Sequence, residues 1–227
     1  MNSWIVILLG LMGTVVLAAE PEMPRVPPSP PFVKSPPPGS QWSVEIKTVT
    51  REKTSPVGIT PIRLEKRVGT NRILEAVTTY TDGTRKTFYI VDESILQRYD
   101  NSDKIAVFPV ESGGDFASLR TKSFPGLGWL SASNYAGLAM IKKSECAKFL
   151  LKGGAGSDLQ ADMILTAWIR VSDGYPVRAQ LGDVIYEYSE VTSYSREVPL
   201  PAEYQEALGK LRAGQSLVEK LKAKAAR

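Results

Sequence analysis

The chain has 227 residues, 28 lysines and arginines against 24 aspartates and glutamates, one cysteine and no histidine. A net charge of +4 without a dense basic stripe interleaved with aromatics argues against a nucleic-acid binder. The missing histidine removes serine triads and zinc sites of the usual kind, and a lone cysteine cannot form an internal disulfide.

Residues 1–19, MNSWIVILLGLMGTVVLAA, carry no charged side chain, and small residues follow the apolar run at Ala18 and Ala19. An apolar stretch ending in small residues is a secretory signal of the cleaved kind. The run falls short of the about 20 residues a membrane span needs, so an uncleaved anchor is the alternative rather than the expectation. We therefore expect an exported chain, in the periplasm or outside the cell. No cysteine stands near the junction to carry a lipid.

Glu20 to Ser40 has nine prolines in 21 residues, a composition that favours extended polyproline II and serves as a linker. Residues 41–200 form the expected domain. Period-two alternation begins in QWSVEIKTVTRE, where Trp42, Val44 and Ile46 share one face of a strand. VGITPIRLEKRV continues it, with Pro61 limiting that strand to an edge or a bulge. RILEAVTTYTDGTRKTFYIVDE reads as a hairpin turning at Asp82-Gly83. Further strands are expected at 104–110, 135–143, 144–151, 162–171, 176–181 and 184–192, with turns at Gly153 to Gly156, Asp173-Gly174 and Gly182-Asp183.

The strand rhythm breaks at Asp115 to Ser133, an apolar stretch with internal Gly and Pro, read as a short helix at 115–122 followed by a loop. After Pro199 and Pro201, residues 201–227 place Tyr204, Leu208, Leu211, Val218 and Leu221 at three- and four-residue spacings. That is an amphipathic helix with a basic end, and the end offers a contact for an anionic membrane surface.

No constellation for catalysis emerges. KGGAGSD lacks the lysine and hydroxyl that end a phosphate loop, and DNSDK lacks calcium-loop spacing. Cys146 has no histidine to activate it and sits in a strand as a small apolar residue. No enzyme activity, metal or cofactor is expected.

AWIRVSDGYPVRAQ resembles the W-I-D-x-x-T-G-L-P-V-R hairpin of exported proteins of the LolA-like superfamily, which includes periplasmic lipoprotein carriers. Trp168 and Ile169 end one strand, Asp173 to Pro176 make the turn, and Val177 and Arg178 begin the next. VPLPAEYQEAL and NYAGLAMIKKSECAKFLL are similar to further segments of that superfamily, so the resemblance runs over about residues 41–208. Arg170 departs from it, standing where those hairpins often carry an acid. The resemblance implies a fold of α+β class, mostly antiparallel β: a curved meander sheet forming an open half-barrel, with a short helical or loop lid and a C-terminal helix. Its concave face would take up a lipid, a lipoprotein acyl chain or another hydrophobic small molecule. Phe116, Leu119, Phe124, Leu127, Trp129 and Leu130 are our candidates for contacting that ligand, chosen for apolar content beside glycines. The alternative is a cell-envelope structural or interaction module with a filled core and no ligand cavity.

Overall fold

The computed structural model describes residues 27–49, 58–98, 102–109, 123–153 and 163–225. The strands are β1 (Ser40–Thr48), β2 (Pro61–Val68), β3 (Leu74–Tyr80), β4 (Arg85–Val91), β5 (Ser94–Arg98), β6 (Ile105–Pro109), β7 (Tyr135–Ile141), β8 (Ser144–Lys152), β9 (Ile164–Arg170), β10 (Pro176–Leu181), β11 (Val184–Tyr188) and β12 (Thr192–Ser193). One long helix, α1 (Ala202–Ala225), follows them. All strand pairs are antiparallel, in the order β6-β5-β4-β3-β2-β1-β11-β10-β9-β8-β7, with β12 added to the start of β1. The sheet is an open half-barrel with β6 and β7 at its edges. Two meanders, β1 to β6 and β7 to β11, meet where β1 pairs with β11. The helix expected at 115–122 and most of the loop after Gly153 lie outside the described residues.

Alternation sets which side chains share a face. Trp42, Val44 and Ile46 of β1 fall on the inner face with Leu64 of β2 and Tyr188 of β11. Pro61 is accommodated by a register shift between Pro61 and Arg63, so β2 is an interior strand with a bulge at its start. The Asp82-Gly83 turn forms with Gly83 at φ +81° and Asp82 accepting from Thr84 N at 2.9 Å. The hairpin from β4 to β5 was not expected. Its turn is Asp92-Glu93, two residues other than glycine with φ of 45° and 62°.

The outer face is covered differently along its length. Over β4 to β6, Tyr204 and Leu208 of α1 pack with Tyr89, Leu96 and Val198, and the Tyr89 and Tyr204 rings meet edge-on at 5.0 Å. Arg98 pairs with Glu203 at 3.1 Å, and Arg212 pairs with Asp92. The approach to α1 is pinned by Asn71, whose amide donates to Val198 O at 2.9 Å and accepts from Val198 N at 3.2 Å. Gly69 allows this closeness, since a Cβ there would press on Asn71 and lie 2.5 Å from Val198 N. Over β9 and β10 the outer face carries Trp168, with the Arg178 guanidinium 5.9 Å from the ring centre. The other face of the same ribbon buries Ala167, Ile169 and Ala179.

Candidate functional site

On the β7 to β11 side the inner face carries a continuous apolar cluster, and small side chains stand at its middle. Ala167 lies opposite Ala179 across the β9–β10 ladder; both are fully buried, and Ala147 beside them is nearly so. Around them stand Trp42, Val44, Ile46, Leu64, Phe149, Ile169 and Tyr188, in one apolar cluster. Two segments without regular structure fill the remaining depth.

The first is the loop 123–130. Phe124 and Leu127 enter the cluster at 4% and 8% exposure. The Phe124 ring lies 5.7 Å from Trp42, 5.7 Å from Tyr188 and 6.0 Å from Tyr175. Trp42 Nε1 donates to Ser123 O at 2.9 Å and the Tyr188 hydroxyl donates to Pro125 O at 2.5 Å. Burial, then the neighbouring Tyr186, pushes the Tyr188 phenol well above its ordinary range, which keeps its proton in place for that bond. Trp129 Nε1 donates back to Gly126 O at 3.0 Å, and Asn134 holds Trp129 O at 2.9 Å. Gly126 has φ +79° and rests on the Tyr186 ring, which an added Cβ would meet at 3.0 Å.

The second segment is the end of the proline-rich stretch. Phe32 and Val33 pack against the same cluster, Phe32 meets Phe149 edge-on at 5.3 Å, and Lys34 N donates to Gly174 O at 3.0 Å. Between the two segments is a pocket of about 340 Å³ lined by Val33, Lys34, Ser35, Ser123, Phe124, Leu127 and Gly128.

Of the residues singled out from sequence, Phe124 and Leu127 are therefore inserted into the inner-face cluster. Trp129 and Leu130 are half-buried against its margin, and Phe116 and Leu119 lie outside the described residues. Sequence reading missed Lys66. This lysine is on the inner face opposite Trp42, 2% exposed, and burial lowers its pKa to about 7. Its phase with Leu64 and Val68 in β2 places it on that face, but a lysine in an alternating strand is normally solvated, so the sequence carries no sign of its burial.

Elsewhere the described surface is mixed, with exposed apolar side chains at Met140 and Ile164 on the strands and at Leu217 and Leu221 on α1. An outer groove of about 770 Å³ over β1 to β3 is lined by charges that pair with each other, Glu65 with Arg63 at 3.2 Å and with Arg85 at 3.0 Å, and Glu75 with Arg67. Cys146 is fully buried and burial raises its thiol pKa. Among the described residues no three His, Cys, Asp or Glu side chains gather as metal ligands, and no helix is long and apolar enough to cross a membrane.

No protein-family model matches the chain, and no curated protein matches it in sequence. Among solved structures, the chain is similar to the Mycobacterium tuberculosis lipoprotein LppX, at 19% identity over 72% of this chain and 90% of that one, with a TM-score of 0.38. It is also similar to LprF from Mycobacterium bovis, at 11% identity over 73% and 90%, TM-score 0.37. It is likewise similar to a LolA superfamily protein from Nitrosomonas europaea, at 10% identity over 74% of this chain and 90% of that one, TM-score 0.32.

Proposed function

We propose that this is an exported, non-catalytic binding protein that takes up an acyl chain or a similarly apolar ligand on the inner face of its half-barrel, in the space that loop 123–130 fills. The observation that carries this reading is the cover of the trough. Phe124 and Leu127 come from an irregular, glycine-containing loop attached through a few hydrogen bonds, and a pocket of about 340 Å³ already opens at its seam with residues 33–35. Ligand sites of this kind span about 300–1,000 Å³, and this pocket stands at the lower end of that range before the loop moves. The apolar 1–19 segment supports export, to the periplasm or outside the cell.

The test is titration of the exported, purified chain with a fluorescent fatty acid, alongside lipid extraction of the protein as purified. Gly126→Ala strains the loop at its left-handed turn and crowds Tyr186. Weakening closure by about 1 kcal/mol should tighten binding about fivefold. If neither chain takes up the probe and no lipid co-purifies, the filled-core envelope module is the correct reading.

Contact with an anionic membrane through α1 rests on a separate observation. Leu217, Val218 and Leu221 are 59%, 49% and 59% exposed, on the same turns as Lys220, Lys222 and Lys224. An apolar strip flanked by lysines suits a lipid interface. Co-sedimentation should show the chain on phosphatidylglycerol vesicles and not on phosphatidylcholine, with Leu217→Asp/Leu221→Asp releasing it. Equal recovery from both vesicle types would remove this part of the proposal.

A further inference from the structure

The trough has two covers of different origin. Loop 123–130 lies over Trp42, Tyr175 and Tyr188 through Phe124. The end of the proline-rich stretch lies over Phe149, whose ring meets Phe32 at 5.3 Å and Tyr135 at 5.8 Å. Val33 packs beside Phe32 on the same cluster. The stem of Lys34 rests on Gly174, where an added Cβ would meet Lys34 Cγ at 3.0 Å.

The two covers differ in how firmly they are attached. Phe124 and Leu127 are buried, and their loop is fixed by bonds from Trp42 and Tyr188. Phe32 and Val33 are only half-buried. Pro30, Pro31, Pro36, Pro37 and Pro38 have no N–H to donate, so this stretch cannot dock as a further strand. Among the described residues, the one main-chain bond made between positions 30 and 36 is from Lys34 N to Gly174 O at 3.0 Å. Just downstream the chain is anchored. Ser40 Oγ donates to Pro37 O at 2.5 Å, Gly39 N donates to Val68 O at 2.9 Å, and Gly39 O accepts from Tyr194 N at 2.6 Å. Residues 32–35 can therefore lift while the anchor and β1 stay in place. Lifting them uncovers Phe149 and opens the pocket of about 340 Å³ that Val33, Lys34 and Ser35 wall on one side.

We propose that residues 32–35 are an intramolecular strap, in which Phe32 and Val33 occupy the Phe149 end of the trough and are expelled by ligand. This rests on the hydrophobic-ligand reading above and adds how the site is controlled. The strap matches the cargo in chemistry, since an aromatic ring and a branched aliphatic side chain cover the same apolar ground that an acyl chain would take. It also shields Phe149 from water in the empty protein. Because the strap belongs to the chain, its local concentration is constant, and ligand binds the fraction of molecules in which it is open. Whatever lifts the strap therefore tightens binding.

The experiment uses the full chain and a Phe32→Ala variant, which keeps the length and the anchor of the strap. Affinity for dansyl-undecanoate is read by fluorescence. Strap opening is read as the rate of tryptic cleavage between Lys34 and Ser35, with cleavage after Lys222 in α1 as the control for the protease. Phe32→Ala should bind the probe about tenfold more tightly. Without probe its Lys34–Ser35 bond should be cut about tenfold faster, since cleavage of a transiently opened segment follows its open population. In the wild-type chain, a measurement that needs no variant to fold, the probe should accelerate the same cut. Unchanged or weaker binding by Phe32→Ala would make Phe32 a wall of the site and overturn the strap, as would protection of Lys34–Ser35 by the probe. Binding of the probe to neither chain overturns the carrier reading, and this inference falls with it.

Discussion

Phe149→Ala is expected to lower the unfolding free energy by about 3–5 kcal/mol, read as a lower midpoint in urea. Phe149 is fully buried in β8, with Phe32 at 5.3 Å and Tyr135 at 5.8 Å against its ring. Its strand is paired on both sides, by β7 and β9, so the backbone cannot close over the cavity. Phe124→Ala removes the same atoms from the same cluster, but Phe124 belongs to a loop. When the loop's contribution is lost, the loop can lift away locally, and the loss stops at the free energy of its closure. Local opening of this kind lies well below global stability, and we expect about 1–2 kcal/mol for this variant. A Phe124→Ala loss as large as that of Phe149→Ala would mean that loop 123–130 is an integral part of the core. The filled-core module would then be the better account of the molecule.

Much of the sheet was legible because one buried face imposes period two, as in Trp42, Val44 and Ile46, and because Asp82-Gly83 and Gly182 mark their turns. Where a turn lacks glycine the reading fails. Asp92-Glu93 takes positive φ at both positions, and β5 behind it was not seen. Lys142-Lys143 does the same, at φ 47° and 66°, and was found only because Tyr135–Ile141 and Ser144–Lys152 each alternate strongly. The pairing of β1 with β11 has no local signature, since it joins Val44 to Tyr188 across most of the chain. The stripe of α1 announced that Tyr204 and Leu208 are covered, but not that the cover is the outer face of β4 to β6. At the site, the apolar loop could be read from Phe124 and Leu127. Lys66 could not, because a lysine in an alternating strand is normally solvated, and only its neighbours across the register bury it.

Lys66→Met should change how stability depends on pH, because burial lowers the Lys66 pKa in the folded chain. The difference between the two chains should run in one direction. In the folded chain Lys66 releases its proton near 7, while in the unfolded chain it does so at about 10.4. Between those values the unfolded state binds more protons, so this group makes wild-type stability rise with pH. Below about pH 7 both states hold the proton and the full penalty of burial remains. The stability of Lys66→Met relative to wild type should therefore be highest at about pH 6 to 7 and fall steadily toward pH 10, measured by urea unfolding of both chains across that range. A difference that stays flat with pH would mean that Lys66 keeps its proton in the folded state across that range, as a compensated ammonium does.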